Sequence, residues 1–139
     1  MSFHPEQVLE VAGGLFGFAD DTRFLLLEVP AARPIVFLQS IQSPDLCFIG
    51  LPAQVVDPDY RLRLTQRDRQ LLGFPNSAPR IGRDVLCIAL LTIGEDGTTA
   101  NLQAPVVVDI RRHRARQVIL EAEYSFQHPF AIPECELVC

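Results

Sequence analysis

The sequence predicts an all-β fold, a small closed or nearly closed β-barrel with one short helix, on three observations. Short apolar, β-branched runs recur along the chain, and turn residues break them at close intervals. Eleven prolines are scattered among those breaks, a spacing that suits barrels and sandwiches and opposes long helices. Residues 85–91 are continuously apolar over seven positions, as expected of a central strand covered on both faces.

In chain order, the runs predict strands at 7–12, 23–29, 34–41, 46–51, 60–64, 85–93, 98–103, 106–110 and 116–121. The breakers between them are Gly13-Gly14, Asp20-Asp21, Pro30, Ser43-Pro44, Pro58, Asp96-Gly97 and Pro105. The helix follows Thr65, whose hydroxyl can cap the amide of Asp68 while the Asp68 carboxylate reaches back. Leu71 and Leu72 give it an apolar face, and Gly73 ends it in a left-handed cap after about two turns. Glu95-Asp96-Gly97 tolerates positive φ and predicts a hairpin between 85–93 and 98–103. A second hairpin joins 106–110 to 116–121 through Arg111-Arg112-His113-Arg114-Ala115. No repeat or linker interrupts the pattern. Residues 1–139 therefore read as a single domain, with 132–139 as a mobile tail.

The chain has 139 residues, of which 48% are apolar, enough for a real core. No apolar run approaches the ~18 residues of a bilayer span, so no membrane association is expected. The opening Met1-Ser2-Phe3-His4-Pro5-Glu6 lacks the basic and apolar regions of a secretory signal, and the expected location is cytoplasmic. The net charge is −5, and all 12 basic residues are arginine. An acidic chain repels phosphate backbones on average, which argues against direct nucleic-acid binding and for a basic protein partner.

No catalytic or cofactor chemistry emerges. His4, His113 and His128 lack the spacing of metal ligands, so no metal is expected. Cys47 and Cys87 lie in apolar segments and read as small buried hydrophobes; Cys135 and Cys139 sit in the tail, where no disulfide is expected. There is no G-x-S-x-G elbow. The cluster Gly13-Gly14-Leu15-Phe16-Gly17 has no Walker lysine, so a turn explains it better than a phosphate cradle. The expected protein is a binding protein without cofactor, not an enzyme.

Two charge features remain. Three acidic pairs, Asp20 with Asp21, Asp57 with Asp59, and Glu95 with Asp96, fall beside turn signals and should be exposed. The run Arg111, Arg112, Arg114 and Arg116 reads either as a contact for RNA phosphates or an acidic protein surface, or as a solvated hairpin tip. No aromatics interleave with it as a base-stacking platform needs.

The order of motifs narrows the reading. Gly14-Leu15-Phe16-Gly17-Phe18, the acids that follow, and Arg23-Phe24-Leu25-Leu26-Leu27-Glu28 resemble the opening of FliW-family proteins. Leu38-Gln39-Ser40 and Pro44-Asp45-Leu46-Cys47-Phe48 follow in the family's order. Asn101-Leu102-Gln103-Ala104-Pro105-Val106-Val107-Val108 and Gln117-Val118-Ile119-Leu120 are similar to its most recognisable stretch, and Tyr124-Ser125-Phe126-Gln127-His128-Pro129-Phe130 to its close. Where the family often carries glycine in the turn before Gln117, this chain has Arg112-His113-Arg114-Ala115.

The resemblance implies a compact β-barrel-like fold and a flagellar assembly factor. Such a factor binds the translational repressor CsrA, relieves its repression of flagellin synthesis, and also binds flagellin, so that the partners exchange. On that reading the acidic pairs face the repressor. The alternatives are an RNA-binding barrel using the arginine run and a small-ligand-binding barrel.

Overall fold

The computed structural model describes residues 8–130; Gln7, His4 and the tail 132–139 with Cys135 and Cys139 lie outside them. The strands are β1 (Val8–Val11), β2 (Arg23–Glu28), β3 (Val36–Ser40), β4 (Cys47–Pro52), β5 (Val85–Gly94), β6 (Gly97–Asp109), β7 (Arg114–Gln117) and β8 (His128–Phe130). They hydrogen-bond in the order β5-β4-β3-β2-β1-β7-β6, and β5 pairs with β6 to close a seven-stranded barrel. β1 and β7 run parallel, while the other neighbours are antiparallel. β8 lies outside the ring, on the first half of β6.

Alternation along the strands builds two cores. Leu9, Val11, Phe24, Leu38, Ile88 and Val106 belong to a cluster that fills the barrel. On β5 the alternate residues Val85, Cys87 and Ala89 join a second cluster with Leu102 and Val107, on the outer wall of β5 and β6. That wall is covered by helix α1 (Ala53–Val56), the extended segment 60–64, helix α2 (Gln66–Leu72) and residues 118–124. β5 is thus apolar on both sides because both sides are covered, as its sequence predicted. Deep in the wall, burial pushes the Cys87 thiol up to about 12.

Helix α2 forms as its capping residues dictate. Thr65 Oγ1 accepts from the Asp68 amide at 3.1 Å, and Gly73 takes φ +92°, the left-handed cap. The Asp68 carboxylate turns to Arg116, 3.5 Å from its Nε, instead of closing a capping box.

Several expectations need correction. Segments 98–103 and 106–110 are one strand, the 13-residue β6. Segment 60–64 is outside the sheet: Tyr60 and Leu64 point into the wall, which gives the period-2 pattern of a strand without a ladder partner. Strand β7 ends at Gln117, earlier than expected. Helix α1, a 3-10 turn at Pro30–Ala32 and β8 add to the single helix and nine strands expected. Cys47 is exposed, because β4 turns its neighbour Phe48 to the barrel core and leaves Cys47 facing out. In the β5–β6 hairpin only Gly97, at φ +124°, takes a positive φ.

Pro105 did not split β6 because a corner absorbs it. Ile88 pairs with Val106 and Leu90 with Asn101, so Ala89 alone stands opposite residues 102–105. Every backbone polar group of that corner finds a partner. The amides of Leu102 and Gln103 donate to Ser125 O, and that of Ala104 to Asn101 Oδ1; proline has none to satisfy. The carbonyls of Leu102, Gln103, Ala104 and Pro105 accept from Tyr60 Oη, Leu120 N, Gln117 Nε2 and Val118 N.

β4 passes this corner closely. A Cβ on Gly50 would lie 2.6 Å from Ile88 Cγ2 and 2.9 Å from Ala89 O. Gly50→Ala should therefore cost about 1–3 kcal/mol through overpacking. Urea unfolding should show a lower midpoint with an unchanged slope.

Candidate partner-binding surfaces

Strand directions sort the turns onto two ends of the barrel. The loop from β1 to β2, the β3–β4 turn and the tip of the β5–β6 hairpin share one end. They carry exposed Asp20, Asp45, Glu95 and Asp96. Beyond the Gly50–Leu90 pair β5 parts from β4, so Glu95 and Asp96 cap an arm braced by β8. Arg23, at the edge of this end, faces Glu10 at 3.6 Å.

Asp21 belongs to this end but is not exposed, against the sequence expectation. Its Oδ1 accepts from Ser40 Oγ at 2.7 Å, and Ser40 Oγ accepts from Ser43 N at 2.9 Å. The hydrogen bonds from Ser40 and Ser43 hold its carboxyl below the usual carboxylate range. Asp21 pins the β1–β2 loop to the β3–β4 turn. Gln42 adds a second pin, its Oε1 accepting from the amides of Thr22 and Arg23 at 2.8 and 3.1 Å.

Asp57 and Asp59 lie elsewhere, after α1 on the outer wall. Asp57 is half-buried and its Oδ1 accepts from the Asp59 amide at 3.0 Å, an Asx turn leading into Tyr60. The structure therefore brings two of the three acidic pairs to one end and leaves the third on the side.

The arginine run marks the opposite end. Arg111 and Arg112 in the β6–β7 turn and Arg114 at the start of β7 are exposed, and His113 in the turn takes φ +54° in place of a glycine. Asp109 holds the turn, its Oδ1 accepting from the amides of Arg111 and Arg112 at 3.0 and 3.1 Å. Arg116 departs from the expected solvated tip: it sits inside β7, mostly covered, against Asp68. At this barrel mouth Leu9, Leu26, Leu86 and Val108 line an apolar pocket of about 200 Å³, with Asp109, Ile110 and His113 also on its wall.

The profile of the FliW protein family matches residues 1–130. The chain belongs to the FliW family. It is 30% identical over 138 residues to the flagellar assembly factor FliW of Bacillus subtilis, covering 97% of this chain and 93% of that one. Its identity to the Bacillus licheniformis protein of the same name is 35% over 133 residues, covering 94% and 90%. A crystal structure of the flagellar assembly factor FliW superposes with a TM-score of 0.80 at 29% identity, covering 93% of this chain and 89% of that one.

Within this FliW chain, sequence reasoning missed Asp45, which completes the acidic end, and the pocket at the opposite mouth. Asp45 had a turn signal in Ser43-Pro44 but no acidic neighbour to draw attention to it. The pocket has no local signature, because its walls come from four strands.

Asp21 gives a pH test of its bracing role. A carboxyl held below its unfolded value of about 3.8 adds stability at neutral pH. That stability is lost as pH falls through the folded-state value. Asp21→Asn should lower the melting temperature at pH 7. The difference should hold down to about pH 4 and shrink only below it, closing once pH has fallen past the lowered folded-state value. Thermal melts from pH 7 to pH 2.5 (roughly the range of carboxylate titration) read the difference directly.

Proposed function

We propose that this FliW protein is a cytoplasmic flagellar assembly factor that works by exchanging protein partners and performs no chemistry of its own. Its acidic end takes the basic, RNA-binding repressor CsrA and relieves repression of flagellin synthesis. Flagellin competes for the protein, so that flagellin supply sets how much remains to hold the repressor. The family membership and the names of the relatives support the flagellar role. The observation that carries the partner assignment is the gathering of Asp20, Asp45, Glu95 and Asp96 on one end.

The physical logic is electrostatic. An acidic surface steers a basic partner and, once bound, repels the RNA that partner would otherwise hold. Exposed acids in turns can change without disturbing the barrel core.

Calorimetry with the purified cognate CsrA should give a saturable isotherm that weakens as salt rises. Replacing Asp20, Glu95 and Asp96 by Asn, Gln and Asn should slow association roughly tenfold with little change in melting temperature. The same change at Asp57 and Asp59, on the wall, should do less. No heat and no co-elution at about 10 μM, a concentration well above typical specific affinities, would refute the assignment.

Titrating flagellin into the preformed repressor complex should release free repressor, seen as a second peak in size-exclusion chromatography. A stable ternary complex with unchanged repressor affinity would exclude exchange.

A further inference from the structure

The end opposite the acidic turns combines charge with an apolar socket. Helix α2 brings two arginines there, the turn before β5 two, and the β6–β7 turn with β7 four. Among the described residues these eight arginines are accompanied by three aspartates, a local charge of +5 that leaves −7 on the rest of those residues.

The segments are joined in space. Ile110 N donates to Asp84 O, and Arg116 meets Asp68. The Arg112 guanidinium lies against Gly73 at the end of α2. All three aspartates are engaged internally: Asp68 by Arg116, Asp84 by the Arg80 amide at 2.9 Å, and Asp109 by the amides of the β6–β7 turn and by the Arg112 guanidinium at 3.3 Å. The positive charge is therefore left for something outside.

Apolar groups sit within this basic region. Ile110 and Leu71 are 39% and 51% exposed, and the pocket of about 200 Å³ opens beside Ile110. An apolar cavity of ~150 Å³ takes a benzene-sized guest, so this one has room for a single aliphatic or aromatic side chain. Arginine around a small apolar centre is the composition of a protein interface. Single-stranded nucleic acid would instead call for exposed aromatics to stack on. A long strand would also run off the patch onto a remainder that, among the described residues, carries a net charge of −7.

We propose that this end is a second docking surface, for an acidic amphipathic protein segment that places one apolar side chain in the pocket and carboxylates on Arg111 and Arg114. It goes beyond the partner exchange proposed above and does not depend on it.

The test uses the full chain and a fluorescein-labelled peptide with leucine and glutamate at helical spacing. Its controls are the same peptide with glutamine for glutamate, and a single-stranded RNA of similar length. The acidic peptide should bind with strong salt dependence and shift the methyl resonances of Leu26, Leu86 and Val108. Arg111→Glu with Arg114→Glu should weaken it roughly tenfold or more. The glutamine peptide should show the same loss on the unaltered protein, a measurement that stands even where the double variant folds poorly. Tighter binding of the RNA, peptide binding that leaves those methyls unmoved, or no binding of the acidic peptide would each overturn the proposal.

Discussion

The corner at residues 102–105 is the constraint on which the rest of the architecture rests. β6 must close the barrel with β7 in its second half and support the protruding arm and β8 in its first. A regular strand of that length would keep one register with β5 throughout. Four residues opposite one let β6 leave that register, at the cost of seven backbone groups with no ladder partner. Left unmatched and buried, such groups would each cost about 1–3 kcal/mol. Here the supply comes from distant segments, Tyr60, Gln117, Val118, Leu120 and Ser125 among them. Meeting the needs of the corner therefore fixes the wall segment and the chain after β7 at the same time.

A barrel whose middle is filled with side chains offers its partners its turns, its outer wall and the pocket at one mouth. Antiparallel strands return alternate turns to the same end, so turns far apart in sequence become neighbours. In this chain the turns of one end are acidic and those of the other basic. β5 has ten residues, which at ~3.3 Å each span about 30 Å. Charge is screened over ~8 Å at physiological salt. The two ends are therefore electrostatically separate, and an approaching partner does not meet the average charge. It meets one end.

That separation explains which parts of the molecule were legible in the sequence. Strand positions were, since alternation between two faces leaves a period in the residues, and α2 was, since Thr65 and Gly73 have specific capping roles. Segment 60–64 shows the limit: alternation reports an extended chain with one buried face, and Tyr60 satisfies that by packing on a wall without joining a sheet. β6 shows another. Pro105 is a sound breaker signal, but only tertiary partners decide whether a break ends a strand or bends it. Charge was least legible, because net composition adds together turns that the fold sets apart.

Asp21 and Arg116 sharpen the point, since each looked like surface charge beside a solvated neighbour. Asp20 and Asp21 are adjacent in sequence, yet one faces solvent and the other binds Ser40. Arg114 and Arg116 lie two apart on β7, and only the first is exposed, while the second meets Asp68 on α2. In both pairs the inner residue holds in place the element that presents the outer one. Ser40 with Asp21 fixes the loop bearing Asp20, and Asp68 with Arg116 fixes α2 beside the basic turn. The covered member of each pair is engaged within the fold, and the exposed member is left to solvent. Neighbouring charges in such a barrel are thus divided by what the fold sets beside them, Ser40 beside Asp21 and Asp68 beside Arg116, and the two members of each pair should respond differently to the same substitution.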